Sequence, residues 1–350
     1  MKNKISEIIK SSFKSETGVY SSRIISAAVI CGGAEYVETF SNDNSFKYSS
    51  GSGNTPVFYI YSLTKTIISA LILKLAENKS LSVEDRLDKW FPLVKNSGAV
   101  SILNTLMHTG GLSDYGGMPD YHDAVKKGMT PWSFDEFINR TIGEKLLFTP
   151  GSKFSYSNIG YMLLKKIVEI EYGRSFFDAL QSFICVPLNL KNTKVSTTVE
   201  SLKDNLFGLS RYLGTKESPA DVYEIYNPQW VSHGVVSSNA YETAVIYKSL
   251  FNGCLVSEAQ LELMVKGIKV EGVIGRPFYN PYYGAGLMID IGSPYGPVYG
   301  HTGGGPGASA ACYHLISKNG LVPVTAAVLT DGEDPLQAER IIYEIFKVFA

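Results

Sequence analysis

Ser62-Leu63-Thr64-Lys65 is the group of residues in this chain with the most chemistry in it. It opens an apolar run in which Ile68, Leu71, Ile72 and Leu75 recur at helical spacing, so a helix is expected to start at the serine. Three residues along a helix is one turn on the same face, which brings the Lys65 ammonium within reach of the Ser62 hydroxyl. A lysine whose pKa is lowered by burial or by nearby positive charge can help take the proton from such a serine, leaving an oxygen nucleophile for a carbonyl carbon. The spacing alone is not distinctive, because Ser11-Ser12-Phe13-Lys14 repeats it on what reads as a surface helix. Context separates the two: Val57-Phe58-Tyr59-Ile60-Tyr61 precedes Ser62 and an apolar helix follows, placing Lys65 near a core.

Two later segments add candidate groups. A Thr149-Pro150-Gly151 turn leads into Tyr156-Ser157-Asn158, the only Tyr-x-Asn of the chain. A phenol beside a lysine ammonium has its anion stabilised and can serve as a general base, and a carboxamide can hold a substrate amide. Among 22 tyrosines, packing and turn formation are the ordinary alternative. The third segment is His301-Thr302-Gly303-Gly304-Gly305-Pro306-Gly307. Its glycines let a substrate lie against the backbone, where a free N–H can point at a developing oxyanion. His-Thr-Gly also occurs at His108-Thr109-Gly110, so the tripeptide gains meaning only from its company. Neither the Gly-x-Ser-x-Gly elbow nor a phosphate-binding Gly-x-x-x-x-Gly-Lys-Ser/Thr is present. Cys31, Cys185, Cys254 and Cys312 and the five histidines show no metal-ligand spacing, so the sequence calls for no metal and no cofactor, and the cysteines read as buried thiols.

Elements that would position these groups can be read from the ends inward. Residues 2–13 carry Ile5, Ile8, Ile9 and Phe13 on one helical face. A strand over 23–31, the turn Gly32-Gly33 and a strand over 36–40 predict a hairpin. Strands over 308–316 and 321–330 flank Lys318-Asn319-Gly320, a second hairpin turn, because Asn-Gly tolerates positive φ. Asp334-Pro335 reads as the N-cap and first turn of a last helix with Ile341, Ile342, Ile345, Phe346 and Phe349 on one face. Residues 62–267 are largely helical in pattern. The expected fold is α+β: an antiparallel sheet from both chain ends, flanked by N- and C-terminal helices, with an inserted, mostly helical lobe. Residues 1–75 and 266–350 would form the sheet lobe and 76–265 the helical lobe, with the site between them.

The chain of 350 residues is 45% hydrophobic, enough for a large core, and its 32 basic residues nearly balance 33 acidic ones. With no basic run, neither nucleic acid nor an anionic membrane is expected as a partner, and a small molecule or short peptide suits better as substrate. No transmembrane segment and no secretory leader are legible, so a cytoplasmic protein is expected. The sequence carries no signal for an oligomeric state.

Taken in order and at these separations, Ser62-x-x-Lys65, Tyr156-Ser157-Asn158 and His301-Thr302-Gly303 resemble the motifs of the serine β-lactamase and DD-peptidase superfamily. The resemblance is strongest to its class C branch, which also holds DD-carboxypeptidases, D-aminopeptidases and esterases, and it spans roughly residues 20–345. Leu106-Met107-His108-Thr109-Gly110-Gly111-Leu112 resembles a segment that is structural in that family, which argues against His108 as a catalyst. The resemblance implies Ser62 as nucleophile, Lys65 as its proton acceptor or electrostatic partner and Tyr156 as general base and acid. It implies Asn158, with His301, Thr302 and Gly303, as substrate-binding residues, and the N–H groups of Ser62 and Gly304 as the oxyanion hole.

One departure bears on substrate. Class C β-lactamases typically carry lysine where this chain has His301, and a histidine is only partly charged near neutral pH. Less fixed positive charge then faces a substrate carboxylate, and His-Thr-Gly resembles instead the DD-peptidases, D-aminopeptidases and esterases. The expected reaction is acylation of Ser62 by an amide or ester, peptidase or amidase action ranking first, esterase action second and β-lactam hydrolysis third. The alternative in a different class is a ligand-binding relative that keeps the fold without turnover. Tyr115, Trp230, Tyr282 and Tyr283 fall in loop-like stretches that could wall a pocket, although aromatics in such places more often pack.

Overall fold

The computed structural model describes residues 1–13, 22–42, 55–198, 208–318 and 322–349. An eight-stranded, wholly antiparallel sheet runs in the order Ala34–Ser41, Ile24–Cys31, Val324–Thr330, Ala308–Leu315, Val298–Gly305, Met288–Asp290, Pro281–Tyr283, Ile268–Lys269. Both chain ends therefore supply its centre, with Ile25 opposite Thr330 and Cys31 opposite Val324. Gly32 turns the first hairpin at φ 58°, a backbone state glycine adopts without steric cost. The Asn319-Gly320 turn lies outside the described residues, but the strands it was expected to join do pair.

Alternation along the central strands explains why both faces are covered. Ile25, Ala27 and Val29 look one way, toward Ile5 and Ile9 of the helix Lys2–Ser11 and toward Ile341, Ile342, Ile345 and Phe346 of the helix Gln337–Phe346. Ala28 and Ile30, with Ala310, Cys312, Ala327 and Leu329, look the other way into the larger core. That core holds the helices Leu63–Glu77 and Ala240–Phe251. The last helix begins later than Asp334-Pro335 suggests. Asp334 caps a preceding turn instead, its carboxylate accepting from the Leu336 N–H at 2.9 Å and its carbonyl from the Gln337 N–H at 3.2 Å. Cys185 and Cys312 are buried, whereas Cys254 is exposed and Cys31 half-buried, so only two of the four cysteines are the core thiols expected. Among the described residues no helix is long and apolar enough to cross a membrane.

The stretch expected to be helical also contains strands. Within it, Val235–Ser238 and Lys194–Ser196 join Phe58–Tyr59, which lies just before it, in a three-stranded sheet, and Leu209–Ser210 pairs with Ala220–Asp221. Segments of two to four residues are too short to show a period of two in sequence. The small sheet matters to the site because its strand Phe58–Tyr59 delivers the chain to Ser62. Glu242 ties this sheet to the helix Ala240–Phe251. Its buried carboxylate accepts from the N–H groups of Lys191 and Asn192, from the Asn192 carboxamide and from the Thr193 hydroxyl, at 2.7–3.0 Å. Replacing Glu242 by alanine strands these donors in a dry place and should destabilise the protein by roughly 2–4 kcal/mol. Urea unfolding would show this as a lower midpoint at unchanged slope, and an unmoved midpoint would refute it.

Candidate active site

Leu63–Glu77 is apolar on nearly every side and accordingly buried on nearly every side. Ser62 occupies its N-cap position but makes no side-chain cap bond, and its φ of −70° and ψ of −9° are helical rather than extended. A serine at that place usually stabilises the helix by about 1 kcal/mol through its cap; here the hydroxyl is turned to Lys65 instead. The sharp change of direction is taken by Tyr61, at φ 43°. That strained residue is held by its phenol, which donates to the Pro306 carbonyl at 2.6 Å.

Lys65 is fully buried. Its Nζ lies 3.0 Å from Ser62 Oγ, 2.8 Å from Asn158 Oδ1 and 3.3 Å from His233 Nε2, and it stands over the face of the Tyr156 ring at 4.9 Å. Among the described residues it forms no ion pair with a carboxylate. Burial therefore dominates and lowers its pKa from 10.5 to about 7, with Asp114 pulling weakly the other way.

Asn158 is aimed by Asp114, a residue the sequence did not single out. Asp114 accepts from the Asn158 backbone N–H at 2.7 Å and from its Nδ2 at 3.1 Å, which turns Oδ1 toward the lysine. The turn before it is set by Ser157, whose hydroxyl caps the helix Asn158–Tyr172 at Gly160 and donates to the Ser113 carbonyl. The Ser157 N–H in turn donates to His108 Nδ1 at 3.1 Å, and the His108 ring packs on Tyr156 with centroids 4.2 Å apart. His108 is thus a brace for the Tyr156 turn.

Tyr156 does not have a stabilised anion. Burial pushes its pKa up, outweighing the opposite pull of its hydrogen bond with Ser62. The lysine stands over the ring rather than at the oxygen, and it sheds its own charge near neutrality. Tyr156 is a neutral phenol at physiological pH, and the readily titrated base of the cluster is Lys65.

Most of the glycine segment is itself strand. Val298–Gly305 returns through Pro306-Gly307 into Ala308–Leu315, with Gly305 opposite Ala308. Met288–Asp290 pairs on its other side only as far as Gly300, so beyond that point this edge opens to the cleft. Here the strand meets the nucleophile turn: a Cβ on Gly303 would fall 2.1 Å from the Ile60 carbonyl oxygen and 3.0 Å from the Ser62 nitrogen. Glycine is what allows this contact, which sets the Ser62 N–H beside the Gly303-Gly304 backbone.

His301 was expected to line the cleft and does not. It is fully buried, its Nδ1–H donating to the Thr302 carbonyl at 2.6 Å and its Nε2 accepting from the Tyr283 hydroxyl at 3.0 Å. Burial and the neighbouring Lys65 lower its pKa to about 3, so it is uncharged. Fixed positive charge at this end comes from Arg276, missed in the sequence. Its Nη1 lies 3.3 Å from Thr302 Oγ1 and 3.0 Å from Oε1 of the buried Glu339. An arginine between a substrate-facing threonine and a residue of the last helix leaves no local pattern in sequence.

The cleft over Ser62 has a volume of about 940 Å³, with Tyr156, Asn158 and Thr302–Gly305 in its lining. Tyr115, Tyr282 and Tyr283 wall it, where packing was the favoured reading of such aromatics. Trp230 does not; it is buried against Trp132, Phe137 and Tyr121.

A model of the family described as Beta-lactamase matches residues 25–347. Penicillin-binding protein 4* of Bacillus subtilis (strain 168) is 26% identical over 314 residues, which is 85% of this chain and 67% of that protein. Among solved structures, D-amino acid amidase from Ochrobactrum anthropi SV3, complexed with L-phenylalanine amide, superposes with a TM-score of 0.79 at 20% identity, covering 99% of this chain and 97% of the other. A D-stereospecific amidohydrolase from Streptomyces sp. does so with a TM-score of 0.78 at 21% identity over the same shares.

The charge of Asp114 is felt at Lys65, and the sign of that effect is testable. Asp114→Asn removes the negative charge while keeping an oxygen for the Asn158 N–H, so the Lys65 pKa should drop below its value of about 7. A carbon-13 titration of labelled lysine side chains would follow it, and a midpoint equal to or above that of the unaltered protein would refute the coupling.

Proposed function

The chain belongs to the beta-lactamase family, and from that premise we propose that it is a serine hydrolase working through an acyl-enzyme on Ser62. Peptidase or amidase action on substrates carrying a D-amino acid stands first, ahead of ester and of β-lactam hydrolysis. The observation that carries this reading is the buried Lys65 Nζ at 3.0 Å from Ser62 Oγ, in a site that lowers its pKa to about 7. The D-stereospecific amidohydrolase and the D-amino acid amidase support the D-amino acid class by their names, and the Bacillus relative, by its name, supports a site that accepts penicillin-like acyl groups.

Each group then has a role its surroundings permit. Uncharged Lys65 takes the Ser62 proton as Oγ bonds to the substrate carbonyl carbon. The oxyanion that forms is met by the N–H groups of Ser62 and Gly304, at the open strand edge. As the acyl-enzyme forms, the carbonyl-to-nitrogen or carbonyl-to-oxygen bond breaks, and the leaving group receives a proton through the Tyr156 phenol, resupplied from Lys65. Water then attacks the ester and the same groups run in reverse. Asn158 commits Oδ1 to Lys65 and one N–H to Asp114, leaving its second N–H for a substrate carbonyl. Arg276 beside Thr302 offers charge to a substrate carboxylate, which favours carboxypeptidase substrates within the class. The cleft would lie between the sheet lobe, 1–75 and 266–350, and the helical lobe, 76–265.

Intact-protein mass spectrometry with a fluorophosphonate and a penicillin, beside turnover of a p-nitrophenyl ester and a D-alanine amide, tests the proposal. Adducts on the unaltered protein and none on Ser62→Ala are expected. Labelling that persists in the mutant would remove Ser62, and no labelling or turnover at all would leave a ligand-binding relative without the chemistry. The pH profile is a separate check. Only the uncharged amine accepts a proton, so kcat/KM should fall about tenfold per pH step below about 7 and level off above it. Tyr156, raised out of that range, should add no alkaline limb. A profile flat from about pH 5 to 8 would sink Lys65 as the base.

A further inference from the structure

We propose that His233 is a positioning residue for Lys65: by accepting one N–H of the uncharged amine, it leaves the nitrogen lone pair facing Ser62 Oγ. The inference rests on the reading of Ser62 and Lys65 given above. Ser232-His233-Gly234 carries no motif, and no role for this histidine is legible in sequence.

Hydrogen-bond accounting around Lys65 carries the argument. An uncharged amine has two N–H donors and one lone pair, and three polar atoms surround Nζ. The Asn158 carboxamide donates through Nδ2 to Asp114, so the Oδ1 it turns to the lysine only accepts. One N–H is thereby committed. The remaining N–H and the lone pair fall to Ser62 Oγ and His233 Nε2, at 3.0 and 3.3 Å. A hydroxyl can rotate to give or to accept, so the imidazole decides. If Nε2 is bare, it takes the second N–H and the lone pair meets the serine proton. If Nε2 carries hydrogen, it takes the lone pair, and Ser62 faces an N–H that cannot receive its proton.

The bare Nε2 fits both states that Lys65 visits in turnover. The ammonium has three N–H groups and needs an acceptor at every partner, His233 included. With the proton on Nδ1, the imidazole serves ammonium and amine alike, with no tautomer exchange between them. The ring is buried, and burial followed by the field of Lys65 lowers its pKa well below the ordinary value, so it stays neutral. The other titratable groups around it are His301, His108 and Lys165. Its place is set by the backbone: Gly234, at φ 79°, donates to the Val231 carbonyl at 2.7 Å and then enters the strand Val235–Ser238 of the small sheet. With the proton on Nδ1, that buried N–H finds no hydrogen-bond partner among the described residues, a cost that sets the tautomer's gain at Lys65 against an orphaned donor.

The test compares the unaltered protein with His233→Ala and His233→Gln above about pH 8, where Lys65 is uncharged. Glutamine reaches about as far as Nε2 and offers an oxygen acceptor. His233→Ala should slow fluorophosphonate labelling of Ser62 and lower kcat for a p-nitrophenyl ester on the order of 10–100-fold, with KM nearly unchanged, and His233→Gln should restore most of the loss. An alanine variant as fast as the unaltered protein would overturn the proposal. So would equal losses in both variants while both melt normally. Nitrogen-15 spectra of histidine-labelled protein decide the matter even if the alanine variant fails to fold. A proton on Nδ1 of His233 and none on Nε2 supports the proposal, and the reverse overturns it. Failure of the unaltered protein to label at Ser62 would instead remove the hydrolase reading itself.

Discussion

Burying a lysine ammonium with no carboxylate paired to it among the described residues is the constraint on which this site turns. Water would solvate that charge better than any neutral pocket, so the fold must either find acceptors for each N–H or let the proton go. It does both. Ser62, Asn158 and His233 surround Nζ, and the proton is held loosely enough to leave near neutrality. Each acceptor is then fixed by something further out: Asn158 by Asp114, His233 by the Gly234 turn into the strand Val235–Ser238, and Ser62 by the strained Tyr61 and the glycine strand.

Charge at the opposite end follows the same logic with a different solution. His301 is as deeply buried as Lys65 but is a weak enough base to shed its proton entirely, so it serves as a neutral link between Tyr283 and the Thr302 carbonyl. Arg276 cannot shed its proton and is instead compensated by the buried Glu339. One cleft thus has an amine that alternates between charged and neutral, an imidazole that stays neutral and a guanidinium that stays charged.

The parts legible in the sequence were those with local signatures. The central strands announced themselves by apolar runs bounded by glycine, and the terminal helices by isoleucines at helical spacing. Ser62 and Lys65 are three residues apart on one helix, so their contact follows from helical geometry alone. The two small sheets were not legible, because their strands are shorter than any readable period. Nor were Asp114, His233 and Arg276, whose partners lie 44, 168 and 26 residues away in the chain. The burial of His301 and the neutrality of Tyr156 escaped for a related reason: a motif names which residues meet, while charge state depends on how much water the assembled fold excludes.

Because Ile24–Cys31 pairs with Val324–Thr330, the central sheet cannot close until nearly the whole chain is available. Contacts that span three hundred residues carry a large loop-closure entropy and belong to slow, late steps of folding. The glycine strand that braces Ser62 lies in this late-closing half of the polypeptide. During vectorial synthesis the serine and its lysine therefore leave the ribosome long before the strand that completes their surroundings. A nascent or C-terminally truncated chain would hold the reactive pair in water, where the lysine keeps its proton and the serine stays an ordinary alcohol. Reactivity is in this way deferred to the final stage of folding, and an incomplete molecule is chemically quiet.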